Sequence, residues 1–263
     1  SGLLLALQDV LPDASWSTTS QVVGALRAVK DEAEIAALAA AAAAADRVAG
    51  ALLAGEIPLV GRSEADVSGE IGARLVAEGH ATVNFSIVAS GPNAASPHHE
   101  AGSRRIGRAE VVVCDFGGTF HLGHDAGYCS DITRTVVTGE PGEELRELYE
   151  VLERAQSIAV AAAAPGVACE EVDGAGRRVI DAAGYGEHFV HRIGHGIGIE
   201  EHEDPYMVAG NTALIVPGNA FSVEPGIYLP GRFGARIEDI VVATSDGARA
   251  LNRADHALHV VEA

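Results

Sequence analysis

Residues 191–205 read HRIGHGIGIEEHEDP, with three histidines and four acidic residues set among three glycines. Glycine lets a backbone approach a bound group closely, and His191, His195 and His202 bring imidazoles to the same place. A lone histidine in an apolar stretch reads best as a satisfied core residue. Three within one glycine-rich segment read as a site. Further along the chain, FSVEPGIY (221–228) puts Glu224 at the end of a strand-like run, before Pro225 and Gly226, and ARIEDIVV (235–242) puts Glu238 inside an apolar one. A glutamate buried in either setting needs counter-charge.

Upstream, VVVCDFGG (111–118) closes a β-branched run on Asp115, where a carboxylate capping a turn is the structural alternative. In GYCSDITRTVV (127–137), Asp131 interrupts a strand-like run. Ser130, Thr133, Arg134 and Thr135 stand near enough to orient or neutralise it, and a salt bridge with Arg134 is its structural reading. Four carboxylates and an imidazole form a hard, mainly oxygen-donor set suited to two divalent ions, with Mn the first expectation and Co, Zn or Fe also compatible. Two such ions acidify a shared water and polarise a carbonyl, which is what amide hydrolysis requires.

The segments around these residues are organised twice over. Residues 31–54, rich in Ala, Leu and Glu and followed by Gly55, predict a helix. Ser63 with Asp66 predicts the start of another that ends near Gly79. TVNFSIVAS (82–90) and VVVCD follow as strands. The second half repeats the order with helices over 144–163 and 169–186. Val67, Gly69, Leu75, Ala77 and Gly79 match Val172, Gly174, Ile180, Ala182 and Gly184 at a constant offset of 105. Chance matching in an Ala- and Gly-rich chain competes with a duplicated helix-helix-strand unit whose site lies between the halves, two carboxylates from each. The irregular stretch GPNAASPHHEAGSRRIG (91–107) reads as a loop carrying functional side chains.

Composition narrows the function classes. Of 263 residues, 37 are acidic and 18 are Lys or Arg, and a net charge of -19 disfavours nucleic-acid and anionic-membrane partners. Cys114, Cys129 and Cys169 lack CxxC spacing and predict reduced thiols in a cytoplasmic protein. The opening apolar run has no basic flank of an export signal, and the Ala tract near residue 40 has flanking charges, so no membrane span is expected. The chain begins without Met, so 1–24 is expected to be a remnant of a linker or upstream domain and 25–263 a catalytic domain.

The motifs SGPNAASPHH, DFGG with GYCSDITRT, HGIGIEEHEDP, FSVEPGIY and RIED occur in an order that resembles the pita-bread metallopeptidases, the family of methionine aminopeptidase, aminopeptidase P and prolidase. The resemblance runs from about residue 25 to residue 250 and includes LRAVKDEAEIAAL (26–38). It implies an α+β pita-bread fold, with duplicated halves around a strongly curved antiparallel sheet and helices outside. It also implies that Asp115 is a terminal ligand, that Asp131 and Glu238 bridge two metals, and that His195 and Glu224 complete the second metal's shell, Glu224 serving as general acid/base.

His98, His191 and His202 match histidines expected to contact the scissile carbonyl, the oxyanion or the substrate terminus. Arg236 would neutralise a carboxylate, lock the Glu238 segment or face substrate, while His99 and Tyr228 would pack behind. The HGIG-x-x-x-HE-x-P arrangement is closer to the Xaa-Pro branch and implies a prolidase-like Xaa-Pro dipeptidase acting on small peptides with proline second. Aminopeptidase P, releasing the first residue of longer peptides, is the enzymatic alternative. A peptidase-like binding module is the non-catalytic one, and a metal-independent creatinase-like enzyme fits the intact ligand set poorly. A homodimer is also implied. Asp115 and Asp131 stand farther apart than the family's usual spacing, which implies a lengthened hairpin at GTFHLGHDA with His121, His124 or Asp125 at the cleft rim or in solvent.

Overall fold

The computed structural model describes residues 2–122 and 127–261; His124 and Asp125 lie outside the described residues. Helix α1 (Gly2–Val10) buries none of its residues, and α2 (Thr19–Ala28) leads into the body, so the expected division at residue 24 falls inside a helix. Helix α3 (Glu32–Leu53) starts on an Asp31 capping box with Glu34, which satisfies backbone N–H groups that the first turn leaves orphaned. It is long and apolar enough for a membrane span, yet Ala41, Ala45, Ala49 and Leu52 lie fully inside protein. Helix α4 (Glu64–Ala77) starts on Ser63 with Asp66 as the reciprocal partner, and Gly79 just beyond adopts φ 107°, a conformation costly for other residues.

Strands β1 (His80–Ser90), β2 (Val111–Phe120) and β3 (Tyr128–Val137) follow as an antiparallel set. The β2–β3 pairing runs unbroken from Val111↔Val137 to Phe120↔Tyr128. The extra residues between the two aspartates therefore lengthen the hairpin without disturbing its register.

Helices α5 (Glu143–Ala162) and α6 (Cys169–Ala182) open the second half. They precede β4 (Gly194–Gly196), β5 (Glu203–Met207), β6 (Ala220–Val223), β7 (Gly226–Leu229), β8 (Phe233–Arg236), β9 (Asp239–Thr244) and β10 (Gly247–Ala250). The last strand, β11 (His259–Val260), returns to pair in parallel with β3. The sheets run β1-β2-β3-β11 and β10-β9-β6-β4-β5, with β7–β8 as a separate hairpin. An antiparallel bridge, Thr133↔Glu238, joins the two larger sheets across the middle.

The duplication is structural. Helices α4 and α6 each have 14 residues and stand at the 105-residue offset. Their approach segments repeat the same bonds: Gly61 N to Ile106 O and Ile106 N to Arg62 O in one half, Gly166 N to Ile215 O and Ile215 N to Val167 O in the other. Chance similarity of composition does not reproduce paired backbone bonds. Each half has its own core, one around Leu52, Ile71 and Phe116, the other around Leu152, Ile180 and Phe221. A third cluster, with Leu38, Cys129, Ile197 and Ile240, fills the junction. The three cysteines are buried and free.

Buried ion pairs tie the junction together. Arg134, fully buried, donates to Asp239 Oδ1 at 2.8 Å and to Glu238 O at 2.7 Å. Arg134 therefore does not neutralise Asp131. Three positions apart on one strand, the two side chains leave opposite faces of the sheet. Lys30 Nζ, in the LRAVKDEAEIAAL segment, meets Glu203 at 2.6 Å, and Arg27 joins the same carboxylate.

Candidate metal centre

Alternation along β2 and β3 builds the first wall. Asp115 lies opposite Thr133 and Asp131 opposite Gly117, so both aspartates and Thr133 share one face. The second wall comes from strand ends. Val223↔Asp239 is the last described pair of β6 and β9, and Glu224 and Glu238 are the next residue on each. His195 sits in β4, where a Cβ at Gly194 would overlap the Ser222 carbonyl, so only glycine lets these strands come together.

Asp115, Asp131, His195, Glu224 and Glu238 all line one cavity of about 260 Å³, together with His98, His191, His202 and Arg236. One ligand-capable atom each from Asp131, His195 and Glu238 lies within 4.8 Å of the others. His195 Nε2 is 3.5 Å from Asp131 Oδ2 and 3.4 Å from Glu224 Oε1. Its Nδ1 faces the Gly196 carbonyl at 3.1 Å, which favours a proton there and leaves Nε2 as the donor atom. Ser222 Oγ donates to Glu224 Oε1 at 3.2 Å, and Thr133 Oγ1 donates to Glu238 Oε2 at 2.7 Å.

The electrostatics are those of a site built for cations. Burial, reinforced by the other carboxylates, holds Asp131 and Glu238 well above the usual carboxylate range, and burial lifts Glu224 to about 7. Burial lowers His195 to about 3, with His202 adding to the effect, and lowers His202 as well. Asp115 Oδ1 is buried without a hydrogen-bond partner. Crowded carboxylates that resist ionisation, an orphaned oxygen and an imidazole presenting Nε2 fit two hard divalent cations.

Arg236 is the nearby counter-charge. Its Nη2 donates to Asp115 Oδ2 at 2.6 Å, its Nε to Thr133 Oγ1 at 2.9 Å and its Nη1 to Tyr228 Oη at 2.8 Å. The guanidinium thus neutralises a carboxylate and fixes the Glu238 segment, with its nitrogens turned toward the protein. His191 has Nε2 2.9 Å from Tyr228 Oη and Nδ1 2.7 Å from the Arg192 carbonyl, so both ring nitrogens are engaged. His98 and His202 line the cavity without such double engagement among the described residues. His99 faces the other way and meets buried Glu64 at 2.8 Å.

Each half fastens its histidine-bearing loop from a buried acid on the repeated helix. Glu64 accepts from Ser90 N, Ser90 Oγ and Asn93 Nδ2, steadying the loop with His98. Asp173 accepts from Ile193 N and from Arg177, which in turn donates to the His191 carbonyl. Sequence reasoning missed these two acids, and it missed the apolar wall of Phe85 and Ile87. Ile87 pairs with Asp115 across β1–β2, and the polar–apolar alternation over TVNFSI (82–87) carried the signal for that wall.

Comparison with known proteins agrees with this geometry. The model of metallopeptidase family M24 matches residues 32–245. The probable dipeptidase PepE of Mycobacterium tuberculosis is 51% identical over 242 residues, covering 92% of this chain and 63% of the relative. The chain thus spans just under two thirds of that protein's length. The Xaa-Pro dipeptidase of Lactobacillus delbrueckii subsp. lactis is 40% identical, with 97% and 68% covered. The crystal structure of dipeptidase PepE from Mycobacterium ulcerans superposes with a TM-score of 0.92 at 48% identity, covering 99% of this chain and 68% of that one. With the pita-bread architecture and the family's motifs both in place, the chain belongs to metallopeptidase family M24.

Proposed function

We propose that this chain carries the catalytic centre of a prolidase-like Xaa-Pro dipeptidase, hydrolysing the peptide bond before proline with two divalent ions, Mn first among them. The observation that carries this reading is the convergence of four carboxylates and His195 on one small cavity bordered by His98 and His202. Its volume of about 260 Å³ lies just below the usual range for ligand pockets, which favours a dipeptide over an extended chain. The relatives named dipeptidase and Xaa-Pro dipeptidase support the same class. Three buried, unpaired cysteines are consistent with a cytoplasmic setting.

Asp115, Asp131, His195, Glu224 and Glu238 would hold the ions, which supply Lewis acidity toward a carbonyl oxygen and acidify a water molecule. Glu224 takes a proton from the attacking water and returns one to the leaving nitrogen, a role that Ser222 supports by fixing Oε1. A bond to proline is a tertiary amide with no N–H to grip, so positioning falls to carbonyl contacts and to the shape of the ring. His98 and His202 serve the carbonyl and the developing oxyanion. His191, with both nitrogens engaged, orients Tyr228 and Arg236. Phe85 and Ile87 offer the apolar wall for the substrate's side chains.

The test is purification, reconstitution with Mn, Co, Zn or Fe in turn, and hydrolysis of Ala-Pro against Ala-Pro-Ala, with Glu224→Ala as control. Preferential cleavage of Ala-Pro is the expected outcome. Efficient cleavage of the tripeptide would give the chain to aminopeptidase P, and no Glu224-dependent cleavage of either would favour a binding module.

A further inference from the structure

A dipeptide brings a carboxylate into the cavity, and the arginine that family resemblance places on the substrate is already committed. Arg236 has Nε, Nη1 and Nη2 all donating to protein groups, with Asp115 receiving its charge. Arg192 also lines the cavity and differs in every respect. Its guanidinium makes no hydrogen bond or ion pair among the described residues, and its Nε is buried without a partner. Its Cζ sits over the Tyr206 ring, 5.1 Å from the centroid, a cation–π contact that holds the group in place without using any of its N–H donors in a hydrogen bond. Glu201 lines the same cavity and forms no ion pair with it.

The chain also places Arg192 next to the chemistry. It follows His191 and lies three residues before His195, and its charge acts on His191, His195, His202 and Glu224 alike. Its carbonyl is already fixed by His191 Nδ1. Two divalent ions would balance the four carboxylates, and a planar guanidinium with unpaired donors then remains facing a space of dipeptide size. An arginine fork is matched to a carboxylate, which it binds through two parallel N–H···O bonds.

Resting on the dipeptidase reading, we infer that Arg192 anchors the carboxylate at the proline end of the substrate and so sets the preference for dipeptides over longer peptides. In a longer peptide that carboxylate is replaced by a neutral amide, and the fork loses its charged acceptor.

The probes are the reduced isostere of Ala-Pro, whose scissile carbonyl is a methylene and which cannot be cleaved, and the same compound with its carboxylate converted to a carboxamide. Calorimetry on the Mn-loaded protein should show the acid binding roughly 10- to 100-fold tighter than the amide, the range of a charge-assisted hydrogen bond. In Arg192→Met that preference should collapse to within about threefold, and Arg192→Lys should restore part of it. An acid preference that survives Arg192→Met in a protein of unchanged thermal stability would overturn the inference and point to Arg236 or the histidines. Cleavage of Ala-Pro is measured alongside. A wild-type protein that fails to cut Ala-Pro yet shows the Arg192-dependent preference would remove the dipeptidase reading and leave the carboxylate anchor standing.

Discussion

The two halves share a scaffold and load it differently. The first half presents Asp115 and Asp131 from a long, continuously paired hairpin, where alternation alone sends both to one face. The second presents His195, Glu224 and Glu238 from short pieces and strand ends. A long hairpin gives rigid, predictable side-chain directions. Strand ends release backbone from the ladder and let a carboxylate approach a shared centre from a different angle. On the proposed function both halves would supply metal ligands, and what sets the second apart is that it also carries Glu224, the group that would exchange protons with the attacking water and the leaving nitrogen.

The largest test of that division is Glu224→Gln. The amide retains the shape and the Ser222 contact but cannot take a proton, so kcat for Ala-Pro should fall by roughly 10²- to 10⁴-fold with KM changed far less. A loss confined to KM would show that Glu224 binds rather than transfers protons. The division would then fail.

The seam comes next. Arg134 in the first half holds Asp239 and the Glu238 carbonyl in the second, at full burial. Arg134→Met leaves a buried carboxylate short of its main counter-charge and should cost about 3–5 kcal/mol. Urea unfolding would show this as a lower midpoint at constant slope. A loss below about 1 kcal/mol would mean that the apolar junction around Leu38, Ile197 and Ile240 joins the halves without help.

Cations and protons would compete for the carboxylates that the two halves bring together. Glu224 is raised from 4.5 to about 7 in the fold, so it costs nothing at low pH, and the metal-free protein loses stability as pH climbs through that window. Asp131 and Glu238 shift in the same direction. His195 goes the other way, from 6.5 down to about 3, and stability held above 6.5 is lost as pH falls toward 3. Cations relieve the carboxylate repulsion and compete with protons for every ligand. Added Mn should therefore stabilise the protein more at pH 8 than at pH 5.5, by a difference on the order of 2 kcal/mol. Calorimetric melts with equal gains at both pH values would contradict the assignment of these carboxylates as ligands.

Much of this was legible in the chain. The five ligand candidates announce themselves because a carboxylate at the end of VVVCD or within ARIEDIVV is expensive to bury without a partner. The capping box at Ser63 is local and was readable from Ser63 and Asp66, whereas at Asp31 only the helix was read and the box with Glu34 emerges from the structure. What stayed hidden depends on distance in sequence. Asp131 had Arg134 as its obvious partner, yet strand alternation sends that arginine to Asp239, 105 residues away. Lys30 lay in a recognisable segment, but nothing local says that its partner is Glu203, 173 residues on. Glu64 and Asp173 read as ordinary helix acids until the fold brings loop backbone to them.

The smallest effect sets the repeated helices against each other directly. Both α4 and α6 satisfy two N-terminal N–H groups with carbonyls of a returning loop: Glu64 and Ala65 with Arg104 and Gly102, Cys169 and Glu170 with Ala213 and Asn211. They differ at the residue before the helix. Ser63 accepts from Asp66 N at 3.1 Å, whereas Ala168 in the matching position has no side chain to offer Glu171. Ser63→Ala should cost about 1 kcal/mol, and Ala168→Ser, which places a hydroxyl where backbone φ -70° and ψ 143° already suit a cap, should gain up to about 1 kcal/mol. Equal and opposite shifts in urea midpoint would show that the duplicated unit is the same machine in both places, differing by a hydroxyl. If Ala168→Ser destabilises instead, the contact of that residue with Leu214 is tight enough to exclude one oxygen, and the halves have diverged in packing as well as in ligands.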